Sequence, residues 1–181
     1  IDAIRVDRAY LAEAPPPGLY AAYYGHTLHF LSFAAMMSGN SEQAIQAARD
    51  LVAEMPESAL RDFAGLIEGI MPATFHVLIR FGKWEQILEE PDYPEWRLVS
   101  RAVRRYARSI ANSALGRTEA ARVELEAFEE AMAAVPEEWW IFNNRVSAVL
   151  PIARAMINGE LLFREGRLDE AYAILREGVA A

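Results

Sequence analysis

Four times in this chain a glycine closes an apolar run and a second helical pattern begins within a few residues, at Gly39, Gly82, Gly116 and Gly166. The segments are Met37-Ser38-Gly39-Asn40-Ser41-Glu42-Gln43-Ala44, Arg80-Phe81-Gly82-Lys83-Trp84-Glu85-Gln86-Ile87, Ala114-Leu115-Gly116-Arg117-Thr118-Glu119-Ala120-Ala121 and Arg164-Glu165-Gly166-Arg167-Leu168-Asp169-Glu170-Ala171. A helix commonly ends in the left-handed region, which glycine enters without the Cβ clash other residues meet. In three of the four, an alanine follows five places later, small enough for the second helix to approach the first closely. Repeated helix hairpins of this kind predict an all-α fold, a solenoid of antiparallel helix pairs with irregular repeats.

Proline and capping residues set the expected limits of the helices. Pro15-Pro16-Pro17-Gly18 stops a first helix over 1–14, because consecutive prolines remove donors and keep the preceding residue out of the α region. A strongly apolar helix is predicted over 19–37, and its partner runs from Ser41, read as the N-cap, to about residue 55, with Pro56 closing it. Residues 57–81 read as one helix kinked or restarted at Pro72, and 83–90 as a short helix before the tight connection Pro91-Asp92-Tyr93-Pro94. Helices over 95–115 and 118–134 form the next hairpin, with Thr118 as cap and Pro136 beyond its end. The last pair covers 143–165, with a kink at Pro151, and 168–178. No segment alternates as a half-buried strand does. Because the sequence opens at Ile1 in mid-pattern, the expectation is a piece of a longer chain, with 1–14 the tail helix of a preceding repeat.

At 181 residues and 53% hydrophobic composition the chain can bury a core, and a mean hydropathy of +0.02 fits neither a disordered nor a membrane composition. Arg49, Arg61, Arg80, Arg108 and Arg154 interrupt the apolar runs short of the roughly 20 residues that span a bilayer, so no membrane insertion is expected. A net charge of −8 repels phosphate backbones and argues against a nucleic acid partner. The chain has no cysteine, which removes disulfides, thiolate catalysis and Cys-ligated zinc and leaves the compartment open.

The four glycines stand 43, 34 and 50 residues apart, one interval matching the tetratricopeptide period of about 34 residues. On these residues the chain resembles the tetratricopeptide repeat family. Gly39, Ala44 and Pro56 match one repeat, Gly116 and Ala121 another, and Gly166 and Ala171 a last; Ile87 departs from the small residue expected after Gly82. The resemblance implies one helical domain with hairpins over 20–56, 57–90, 95–135 and 143–178. More finely, Gly25-His26-Thr27-Leu28-His29-Phe30-Leu31 and Arg80-Phe81-Gly82-Lys83-Trp84-Glu85-Gln86-Ile87-Leu88 resemble segments of a group of bacterial tetratricopeptide proteins of unassigned function, in which a histidine often precedes the tyrosine where this chain has Arg105-Tyr106.

In that family the first helix of each hairpin lines a concave groove. Carried over, the groove positions are His26, His29, Phe33, Met36 and Met37; Gly69, Pro72, His76, Ile79 and Arg80; Val103, Tyr106, Ile110 and Ser113; and Met156, Glu160, Phe163 and Arg164. All three histidines fall among them, on an otherwise apolar and aromatic surface suited to a peptide or partner helix, with Phe30 and the methionines as adaptable contacts. The lysine and asparagine pattern with which some relatives clamp a C-terminal carboxylate is absent. His26 and His29 share one helical face, and His76 belongs to the neighbouring repeat, so three readings stand: packing or hydrogen-bonding histidines, direct contacts to a ligand, or a metal site built on His26, His29 and His76.

Arg97, Arg101, Arg104 and Arg108 form one basic stripe, either solvated, paired with carboxylates or binding an anion. Arg108 falls where the family carries a buried leucine, and a buried arginine needs a partner, so it is expected to pair with a carboxylate of its hairpin. Trp139-Trp140-Ile141-Phe142 is expected to pack into the junction before the last hairpin, with contact to a partner as the other reading. Glu119, Glu124, Glu126, Glu129 and Glu130 read as a solvated outer face. No nucleophile elbow, phosphate loop or paired carboxylates appear. The reading is therefore an interaction module rather than an enzyme, needing no cofactor and binding a protein or peptide. Self-association through uncapped end repeats and a groove filled by the chain itself are the other expectations.

Overall fold

The computed structural model describes residues 2–13 and 18–180, and within them the chain is all-helical apart from one two-stranded ribbon. The helices are α1 (Asp2–Glu13), α2 (Gly18–Met37), α3 (Ser41–Glu54), α4 (Glu57–Asp62), α5 (Ala64–Ile67), α6 (Ala73–Arg80), α7 (Trp84–Glu89), α8 (Leu98–Ala114), α9 (Thr118–Ala133), α10 (Val146–Arg164) and α11 (Leu168–Ala180). The proline run over 15–17 lies outside the described residues.

All four hairpin glycines take the left-handed conformation, with φ of +77° at Gly39, +63° at Gly82, +74° at Gly116 and +78° at Gly166. After each, the next amide reaches back to a carbonyl five residues earlier: Asn40 to Ala35 at 2.9 Å, Lys83 to Leu78 at 2.9 Å, Arg117 to Asn112 at 2.8 Å and Arg167 to Leu162 at 2.9 Å. These are the closures that satisfy the last carbonyls of a helix. Close helix approach follows the small residues. Ala44, Ala121 and Ala171 are fully buried, and the hydroxyls of Ser32 and Ser109 donate across the hairpin to the carbonyls of Ala44 and Ala121 at 2.9 and 2.8 Å. Gly159 holds the corresponding place in α10, where a Cβ would come within 2.5 Å of Leu175. The hairpin around Gly82 instead carries Phe75 and Ile87 there, both buried.

Several expectations need correction. Asn40, not Ser41, caps α3, its side-chain oxygen accepting from the Gln43 amide at 3.2 Å. Arg117, not Thr118, occupies the cap of α9, with no side-chain hydrogen bond. Residues 57–81 form no single helix: α4, α5, a 3-10 turn at Glu68–Ile70 and α6 follow one another, with Pro72 at the cap of α6. Strands do occur, as a short antiparallel ribbon of β1 (Trp140–Ile141) and β2 (Asn144–Arg145), with Trp140 opposite Arg145 and Ile141 opposite Asn144. The ribbon explains the broken helix, because it packs against α5 and the 3-10 turn and needs glycines there. A Cβ on Gly69 would lie 2.7 Å from Ile141 Cγ1 and 2.9 Å from the Trp140 carbonyl.

Two buried clusters hold the helices together. Tyr24, Leu28, Leu51 and Met71 centre the first, while Phe75, Ile87, Phe128, Leu150 and Ile157 centre the second. Each first helix also packs on the next, α2 on α6, α6 on α8, and α8 on α10. By length and apolar composition α10 is the one described helix able to cross a membrane, yet it packs on α8, α9 and α11 and carries Arg154.

Buried charge locks α8 in place. The fully buried Glu68 carboxylate accepts the amides of Val99 and Ser100 at 2.7 and 3.0 Å, acting at a distance as the N-terminal cap that α8 lacks. Arg97 stands 3.5 Å from the same carboxylate and lies over the Tyr93 ring at 4.6 Å. Arg108 meets its expected partner, Glu124, at 2.6 Å, and Arg105 reaches the same side chain at 2.9 Å. Glu124 is therefore buried between two arginines and is not part of a solvated face. The arginine stripe is largely enclosed: Arg104 donates to the carbonyls of Glu90 and Pro91, and burial lowers its pKa against the opposing pull of Asp92.

Candidate functional site

Among the described first helices, α2 carries the most exposed large apolar side chains. Apolar residues surround this helix on every side. Tyr24, Leu28 and Ala35 face inward, whereas Phe30, Phe33 and Met37 keep 62%, 48% and 56% of their surface exposed. His26 is exposed beside Phe30, with ring centroids 6.0 Å apart, and His29 is half-buried one turn on. Across the gap, α6 supplies His76 and Arg80, both exposed, and the half-buried Ile79. The two helices enclose a crevice of about 30 Å³ between His29, Phe33, Met36 and His76, with Ser32, Ala73 and Val77 completing its lining.

This arrangement disfavours the charged forms of His29 and His76. Loss of solvent lowers the pKa of His29 first, and the neighbouring His26 charge lowers it further. His76 is displaced the same way by crowding and then by His29. The residue nevertheless remains exposed, so hydration opposes part of that shift. A neutral imidazole offers one donor and one acceptor to a ligand. Among the described residues no group of three or more His, Asp or Glu side chains converges as a metal site.

The remaining expected groove residues separate into two groups. Tyr106 and Ile110 are buried under α10 and shape the wall without being accessible, which corrects their place as contacts. The Tyr106 hydroxyl points at Met156 Sδ, 3.5 Å away, and burial raises its pKa to about 12. On α10, Met156 and Phe163 are 43% and 40% exposed, and Glu160 is paired with Arg164 at 2.7 Å. His29, His76, Phe33 and Met36 thus share one crevice, and the exposed Met156 and Phe163 of α10 are not part of its lining.

One participant escaped the sequence reading. The ribbon lies over Gly65 and Gly69, with Trp139 and Ile141 packed inward. Its tip residue, Phe142, extends to His29 with ring centroids 5.2 Å apart, half exposed and at φ +52°. Two glycines four residues apart inside a helical pattern are the signal for such a close approach.

Other cavities hold internally paired groups. One of about 590 Å³ lies between α1 and α3 beside Arg8, Gln46 and Asp50, where Arg8 and Gln46 each donate to Asp50 at 2.7 Å. Arg8 and the Tyr24 hydroxyl also meet Glu54, whose pKa is lowered chiefly by Arg8. Comparison with models of protein families, with characterised proteins and with solved structures finds no match to this chain.

Proposed function

We propose that this chain is a tetratricopeptide-like interaction module whose α2–α6 face binds a peptide or partner helix from another protein. The observation that carries the reading is the row Phe30, Phe33 and Met37, exposed on a helix whose other faces are packed. Apolar side chains left in water at this density favour a partner that covers them. The repeated glycine closures and the packing of each first helix on the next support the solenoid arrangement. The exposed Arg80 at the margin favours a partner bearing a carboxylate, although the chain as a whole is acidic, and the histidines add hydrogen-bonding groups. No reaction and no cofactor is assigned.

Selection of displayed peptides on the immobilised protein tests the proposal. Selected peptides should lose binding to Phe33→Asp and Met36→Asp proteins that unfold at an unchanged denaturant concentration. Retained binding to both variants removes the α2 face from consideration. A metal or small-ligand site, catalytic or not, is favoured only by the lowered pKa of His29 and of His76, since neutral imidazole is the ligating form. Zinc bound stoichiometrically and lost in His26→Ala or His29→Ala would establish that reading in place of the first.

A further inference from the structure

The α2–α6 face already has an occupant that belongs to the chain itself. Phe142 sits at the tip of the β1–β2 ribbon, contacts His29, and stays half exposed, so the core does not require its ring. The rest of the ribbon is held independently. Trp139 and Ile141 pack against the second core, the Arg145 guanidinium lies 4.0 Å over the Trp140 ring, and Arg145 donates to the Glu138 carbonyl at 2.6 Å. Phe142 also occupies the first of two loop residues with φ of +52°. Tight hairpins with a positive φ at that place favour glycine, and a side chain there meets the left-handed clash of about 1–2 kcal/mol. A bulky ring is thus retained at a strained position, away from the core, against a histidine of the candidate groove.

The geometry limits what can share this place. Beside His29, the crevice it shares with Phe33, Met36 and His76 has about 30 Å³, room for a water molecule and far less than an aromatic ring needs. On the side of His29 that Phe142 faces, a second ring would take the position of Phe142. We infer that Phe142 is a tethered plug, and that the groove accepts an aromatic side chain from an extended partner segment in exchange for it. The inference rests on the groove reading above and adds the chemistry of its anchor and a built-in competitor. A tethered ring competes at an effective concentration in the millimolar range, which screens out weak aromatic contacts and admits a partner with further contacts along Phe30, Phe33 and Met37.

The three histidines are the only ones in the chain and all lie at this face, so their Hε1 signals report on it alone. The probe is the blocked tripeptide acetyl-Ile-Phe-Asn-amide, copied from residues 141–143, titrated at pH 7.5 into wild type, Phe142→Gly and Phe142→Leu. Glycine accepts the tip conformation, so Phe142→Gly keeps the ribbon while removing the ring. The expected result is a saturable movement of the His29 and His76 signals in Phe142→Gly, about tenfold tighter than in wild type. Phe142→Leu should fall between them, and acetyl-Ile-Ala-Asn-amide should move nothing. Equal titration of wild type and Phe142→Gly overturns the plug, as does equal binding of the alanine peptide. Peptides selected in the display experiment separate the two ideas: binding lost in Phe33→Asp but unchanged in Phe142→Gly leaves the groove and removes the plug, whereas binding indifferent to both removes the groove itself.

Discussion

In the α2–α3 and α8–α9 hairpins alike, a serine hydroxyl crosses to an alanine carbonyl, at 2.9 and 2.8 Å, and a left-handed glycine closes the first helix, at φ +77° and +74°. Their outer faces have opposite fates. Tyr106 and Ile110 of α8 disappear under α10, and the arginines of α8 are tied down by Glu68 and Glu124. His29 and Phe33, at the same places on α2, stay half-buried and exposed respectively, with the Phe142 ring 5.2 Å from that of His29. Local hairpin geometry therefore does not decide which face is available; the neighbouring elements do. One hairpin is consumed by the interior, and the other is left with an unsatisfied apolar surface.

The comparison breaks most severely at Glu68. Glu68→Ala removes the cap of α8 and strands the buried Arg97, and should destabilise the protein by about 3–5 kcal/mol in denaturant unfolding; a loss below about 1 kcal/mol would mean that α8 is not anchored as described. Gly39→Ala and Gly116→Ala test the shared part. Neither site has any atom within 4 Å of an added Cβ, so each should lose only the left-handed strain of about 1–2 kcal/mol, equally in the two hairpins. Unequal losses would show that the hairpins differ locally after all.

Acid distinguishes the open face through its histidines. His29 and His76 have lowered folded-state pKa values, so the unfolded chain binds more protons as pH falls below the ordinary histidine value near 6.5. Their contribution is complete above that pH and is lost as pH falls towards the lowered values. Denaturant midpoints at pH 7.5 and 5.0 should therefore differ, and His76→Gln should reduce the difference. The depressed Glu54 acts in the same direction but in a more acid window, below the ordinary glutamate value near 4.3, so the two are separable. The smallest effect belongs to Phe33→Ser, which should change stability by no more than about 0.5 kcal/mol, because its ring is half exposed already. A larger loss would mean that the face is part of the core.

Glycine placement and small residues made the hairpins and their order legible in the sequence, since those choices answer to local backbone geometry. Arg108 finding Glu124 followed from one buried charge needing another. What was not legible depends on contacts distant in the chain. Glu68 caps a helix some thirty residues away, leaving no local signature. Phe142 meets His29 from the far side of two hairpins, and only the glycines at 65 and 69, which admit the ribbon, hinted at its approach. The burial of Tyr106 likewise depends on where α10 lies, which the helical period of its own segment does not encode.

The most direct test of the account maps a peptide selected on the immobilised protein by NMR of the histidine ring and methionine methyl signals. The account predicts changes confined to His26, His29, Met36, Met37 and His76, with Met132 and Met156 unmoved. Changes centred on Met132 or Met156, with the histidine signals still, would place the binding surface elsewhere and contradict the claim that the open face of α2 is the docking face.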